Sequence, residues 1–146
     1  MKREDFEIMA PAGSFESLHA ALQGGADSVY FGIDQLNMRA GSANNFATDD
    51  LHEIVALCRE KGVKTYLTVN IVVYDRELNQ MKEVVDAAIK HGITAIIASD
   101  MAVIEYAVSA GAKVHLSTQV NITNSKALKF YSRFADVIVL ARELNL

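Results

Sequence analysis

Apolar residues alternate between two rhythms along this chain. Short runs rich in β-branched and aromatic residues occur at 6–10 (FEIMA), 27–32 (DSVYFG), 63–70 (VKTYLTVN), 94–99 (TAIIAS), 113–118 (KVHLST) and 136–141 (DVIVLA). Each is too short for a stable helix, so each predicts a strand. Between them the apolar positions recur every three or four residues. The stretch 14–23 sets Phe15, Leu18 and Leu22 on one face behind Ser14 as N-cap, and 49–61 does the same with Leu51, Ile54, Val55 and Cys58. Helices are also predicted over 76–90, 101–109 and 124–133. The segments QGGAD, EKGVK, KHGIT and SAGAK each put glycine where a helix must stop in a left-handed residue before the next strand. These joints repeat one unit with no linker between copies.

Strands alternating with helices imply a parallel sheet, because each helix is the crossover that lets the next strand run in the same direction. The expected architecture is α/β, a parallel βα repeat of about six strands and five helices, with strand starts about 26 residues apart. That spacing fits a partial TIM-type barrel or an open doubly wound parallel sheet. Strand ends favour the barrel, whose strands all open into one mouth. Gly13 follows the first run, Gly32, Asn37 and Arg39 the second, Asn70 the third, Ser99 and Asp100 the fourth, Ser117 to Asn121 the fifth, and Arg142 with Glu143 the sixth. Period-two parity places His115, Ser117 and Gln119 on one face of the fifth strand, and Tyr66, Thr68 and Asn70 on one face of the third. Strands buried on both faces would be apolar on both, so polar groups at these ends need each other, water or a ligand as partners.

Composition narrows the class. About half of the 146 residues are apolar and 22% are charged, enough for a substantial core in one domain. No run approaches the roughly 18 residues of a membrane span. The first residues lack a signal peptide's apolar region, so a cytoplasmic location is expected. A net charge of −4 offers no basic footprint for nucleic acid or an anionic membrane. The lone Cys58 excludes an intrachain disulfide and any site built from several cysteines of this chain.

The segments MAPAGSFESLHAALQGGADSVYFG, NMRAGSANNF, YLTVNIVVYDREL, IIASD, HLSTQVNITNS and VLARELNL, in this order, resemble the N-terminal part of the collagenase-like peptidase family, family U32. The resemblance covers essentially the whole chain. It implies a barrel-type catalytic domain of which residues 1–146 form a single N-terminal piece, with further strands and a cysteine-bearing region absent. It further implies that better understood members act as hydroxylation enzymes on RNA or quinone precursors. These would use a [4Fe-4S] cluster held by downstream cysteines, with prephenate as oxygen-donor partner. On this reading RNA contact belongs to the missing region, and the cofactor complement of this chain itself is none; the alternative is a non-catalytic ligand-binding or assembly module of barrel type.

Peptide hydrolysis requires a nucleophile with a base in hydrogen-bond reach, or a metal-held water. The chain has no G-x-S-x-G elbow, no H-E-x-x-H and no evident Cys–His pair. His115 and Ser117 are the candidate base and nucleophile, but no third residue is evident to orient the histidine. The expected substrate-binding residues are Arg39, Asn70, Asp100, Ser117, Gln119, Asn121, Arg142 and Glu143. Arg39 and Arg142 would fork onto the carboxylates of a small acid such as prephenate, with Asn70 and Gln119 as amide partners. Structural alternatives stand beside these. Asp100 equally suits the N-cap of the helix after strand four, Asn121, Thr123 or Asn124 the cap of the helix after strand five, and Arg142 with Glu143 a surface pair. Cys58 continues an apolar stripe, His91 sits where a helix dipole favours a cation, and His19 and His52 lack a ligand partner at i+4. A sheet of six barrel strands exposes two edges, so self-association of this piece is expected.

Overall fold

The computed structural model describes residues 2–33, 36 and 46–144. Six strands, β1 (Met9–Pro11), β2 (Ser28–Phe31), β3 (Lys64–Val69), β4 (Ala95–Ala98), β5 (Val114–Leu116) and β6 (Val137–Ile138), form one sheet. Among the described residues five α-helices alternate with them: α1 (Phe15–Gln23), α2 (Leu51–Glu60), α3 (Leu78–His91), α4 (Met101–Ser109) and α5 (Ser125–Tyr131). Every strand pairs in parallel with its sequence neighbour, in the order β1-β2-β3-β4-β5-β6. A doubly wound sheet must reverse its order at a switch point. This one never reverses, which excludes the open-sheet alternative and leaves a half-barrel.

The joints follow the predicted chemistry. Ser14 caps α1, its Oγ accepting from the Ser17 backbone N–H at 3.2 Å while Ser17 Oγ accepts from the backbone of Ser14 at 2.9 Å. The four joint glycines, Gly25, Gly62, Gly92 and Gly111, all take positive φ between 68° and 84°. At Gly62 a Cβ would meet nothing within 4 Å, so the left-handed backbone alone, not crowding, calls for glycine there.

Register assigns the two faces. Val29, Phe31, Leu67, Val69, Ile96, Ala98, Val114 and Leu116 point to the helix side and are buried with Leu18, Ile54, Cys58, Met81, Val84, Val103 and Ile104 in one core. Truncating a fully buried member such as Leu67 to alanine costs roughly 2–5 kcal/mol. Thr65 shares this face and is satisfied by reciprocal bonds with Thr94, backbone N–H to hydroxyl in both directions at 3.0 and 3.2 Å. The other face, toward the barrel axis, carries Met9, Tyr30, Tyr66, Thr68, Ile97, His115 and Val137 in register. Met9 and Val137 on the two outer strands are exposed.

Every strand is shorter than its apolar run predicts, β6 most of all, and at the first and fifth the cause is visible. The first begins at Met9 rather than at residue 6, since the chain before it is occupied by a bond from the Ile8 N–H to the Asp27 carboxylate at 2.7 Å. The fifth ends at Leu116, and residues Thr118–Val120 coil into a 3-10 turn closed by Asn121 at φ 57°. Gln119 therefore leaves the strand, and the parity that grouped it with His115 and Ser117 does not extend to it. The cause is local: Ser117 Oγ accepts from the Gln119 N–H at 3.4 Å, the capping geometry that serine favours over continued pairing.

Candidate functional site

Sequential strand order brings every strand's C-terminal end to one rim. Asn70, Asp100 and Ser117 follow the adjacent strands β3, β4 and β5, and Arg142 and Glu143 lie exposed in the turn beyond Ala141, after β6. Asn70 is half-buried, while Gln119 and Asn121 are exposed on the 3-10 turn. Arg39 lies outside the described residues, so the expected arginine pair is represented by Arg142 alone. The cap of α5 is Asn124, whose Oδ1 accepts from the backbone of Lys126 and Ala127 at 3.1 and 3.0 Å.

Asp100 is a structural hub of this rim. Its Oδ1 accepts from the Ala102 N–H at 2.8 Å and caps α4, and its Oδ2 accepts from the Val73 N–H at 3.1 Å. One carboxylate thereby ties the loop after β3 to the helix after β4. That loop continues through Tyr74, whose backbone N–H donates to Glu77 Oε2 at 2.9 Å, into a 3-10 turn at Asp75–Glu77.

Toward the opposite end of the strands lies a polar network that the sequence patterns did not foretell. Glu7, just before β1, accepts from the Tyr66 hydroxyl at 2.6 Å and pairs with Lys64 at 2.5 Å. Burial opposes ionisation of Glu7, but hydrogen bonds from Lys64, Tyr66 and Ser28 and the lysine charge outweigh it and hold the carboxyl below its ordinary value. Ser28 Oγ is fully buried and close enough to contribute, though it makes no hydrogen bond of good geometry. Burial first, then the bond to Glu7, pushes the Tyr66 phenol up. Its ring lies 4.8 Å from that of His115, whose imidazole burial pushes below its ordinary value against the opposing charge of Asp136. Period-two reading from Tyr66 to Lys64 would have found the strand members of this group. Glu7 was hidden because it was assigned to the first strand.

These contacts decide what Ser117 and His115 do. Ser117 is buried and donates its hydroxyl to Gln119 Oε1 at 3.4 Å, and the His115 ring packs against Tyr66 at a tilt of 52°. Among the described residues no hydrogen bond joins the two. Nor do these residues hold a cluster of three or more His, Cys, Asp or Glu side chains suited to a metal ion. An iron–sulfur cluster needs several thiolates. Cys58 is the chain's single cysteine, lies fully buried on α2, and burial pushes its thiol up to about 11. The donor set present does not fit such a cluster.

The model of peptidase family U32 matches residues 13–146. The chain belongs to peptidase family U32. Along its full length this U32 chain is 65% identical to a protein named collagenase from Porphyromonas gingivalis, covering 35% of that protein. It is 34% identical over 142 residues to tRNA hydroxylation protein P1 of Bacillus subtilis, covering 95% of the chain and 33% of the relative. The solved U32 peptidase Mk0906 superimposes with a TM-score of 0.74 at 12% identity, over 92% of this chain and 57% of that one, a likeness of fold alone. This U32 chain thus spans about a third of the length of the curated relatives it matches. No helix among the described residues is long and apolar enough to cross a membrane.

Proposed function

We propose that the protein carrying this chain is an RNA-hydroxylating member of family U32, and that these residues form part of the wall of its substrate pocket. The observation that carries this reading over peptide hydrolysis is the separation of Ser117 from His115. The residues a serine hydrolase would pair are each committed to another neighbour. The direction comes from the relative named for tRNA hydroxylation, which aligns with 95% of the chain at 34% identity. A [4Fe-4S] cluster, implied by the family resemblance, would take its ligands from residues outside these 146. Asn70, Gln119 and Arg142 remain the proposed partners of a small carboxylate such as prephenate at the rim, and a quinone precursor is the other substrate this chemistry admits.

Nucleoside analysis of tRNA and rRNA from cells lacking the full-length gene tests the reading. We expect loss of a nucleoside one oxygen atom heavier than its parent, restored by the wild-type gene. Unchanged nucleosides in both RNA classes would refute it. Peptide hydrolysis is the second reading, favoured by 65% identity to a protein named collagenase. Release of soluble peptides from collagen by the purified full-length protein, resistant to a mock purification control, would establish it instead.

A further inference from the structure

We infer that Tyr74 and Arg76, on the rim loop after β3, form a stacking platform for an unpaired base of the RNA substrate. The inference rests on the RNA reading above and names a contact through which that site would grip its substrate, adding one within these residues to the RNA contact that the family resemblance assigns to the missing region. Tyr74 is 61% exposed and its neighbour Val72 66% exposed, an unusual concentration of apolar surface on a loop. The Arg76 guanidinium lies over the Tyr74 ring, 5.8 Å from its centroid, with its side chain 83% exposed and its Nε 4.0 Å from Glu77 Oε1, so a cation already sits on one face of the ring. Both residues line a shallow surface cleft with Val73 and Asp75.

The backbone beneath these side chains is fixed. Asp100 holds the Val73 N–H, Glu77 holds the Tyr74 N–H, and the Glu77 N–H donates to the Tyr74 carbonyl at 2.7 Å. An aromatic ring presented on a pinned loop loses little freedom when a flat partner settles on it. Unpaired bases are such partners, since single-stranded RNA is held by stacking on aromatic rings and guanidinium planes. The charges fit this mode better than phosphate binding. Asp75 and Glu77 flank the single Arg76, and the chain as a whole carries −4. Grip here comes from the faces of ring and guanidinium.

The test measures binding of fluorescently labelled tRNA transcripts and an unstructured oligoribonucleotide to the full-length protein by anisotropy, at low and physiological salt. Tyr74→Ala should raise Kd about tenfold or more at both salt concentrations, and Tyr74→Trp should keep it within about threefold of wild type. Circular dichroism checks that each variant folds, as expected for an exposed side chain. A 2-aminopurine base in the oligoribonucleotide should be quenched by wild type and by Tyr74→Trp, but not by Tyr74→Ala. If wild type binds RNA and Tyr74→Ala binds it equally, the platform is overturned while the RNA reading survives. If wild type binds neither RNA, both fall.

Discussion

Removing the Asp100 carboxylate should unfasten two elements at once. In Asp100→Ala the α4 N-cap is lost, a change worth about 1 kcal/mol. The half-buried Val73 N–H also loses a charged acceptor, and hydrogen bonds to charged groups contribute roughly 1.5–3 kcal/mol. Water reaches part of the site, so the combined loss should be about 2–3 kcal/mol. With a urea m-value near ~2 kcal/mol/M, the midpoint falls by about 1–1.5 M. Asp100→Ser should recover the cap but not the tie to Val73, and so sit between. Urea unfolding followed by circular dichroism measures the stability, and native-state hydrogen exchange at the Val73 amide isolates the second bond. A midpoint for Asp100→Ala within about 0.3 M of wild type, with the Val73 amide still protected, would refute the assignment of Asp100 as a structural tie.

Other outcomes follow from the axis face and the core. His115 has a folded-state pKa below its ordinary 6.5, so the folded form favours the neutral ring: its contribution is complete above pH 6.5 and is lost as pH falls toward the folded value. Glu7 shares that sign at lower pH, losing stability as its depressed carboxyl protonates. His115→Phe should therefore flatten the upper part of the acid decline in urea midpoints and leave the lower part, and an unaltered profile would contradict this. Cys58, buried with its thiol pushed up to about 11, should react with a thiol reagent only as fast as the chain unfolds; prompt labelling of the native protein would show the core to be open. Residues 1–146 expressed alone should self-associate through the exposed outer strands, where Met9, Val137 and Val139 lie uncovered. A sedimentation series showing only compact monomer across concentration would rule that out.

The repeated unit was legible because each of its parts has a local cause. Glycine after α1, α2, α3 and α4 takes the left-handed turn, Ser14 caps where serine should, and α4 runs over Met101–Ser109 as its periodicity predicts. Alternation placed Tyr66 with Thr68 on one face of the third strand and His115 on one face of the fifth, and the strand register makes these the same face, where the two rings meet. It failed beyond Leu116, because parity describes only extended backbone and a serine followed by polar residues folds onto itself. Asn121, one of the few residue types that tolerate positive φ, was the available sign of that turn. The Glu7 bonds to Lys64 and Tyr66 span 57 and 59 residues, a separation that no local pattern encodes. Tyr74 and Arg76 were overlooked for the opposite reason: Tyr74 belongs to no periodic element, Arg76 was read as the start of the helix predicted over 76–90, and only exposure on a pinned loop distinguishes them.

Pairing confined to sequence neighbours has a consequence for how the chain is made. Each new strand needs only the one synthesised before it and the helix between them, so every closure spans a single crossover. A chain leaving the ribosome can add βα units in order without waiting for a distant segment. Structure then grows as a front moving from β1 toward β6, and a pause in translation would leave a shorter ladder of the same kind rather than a tangle.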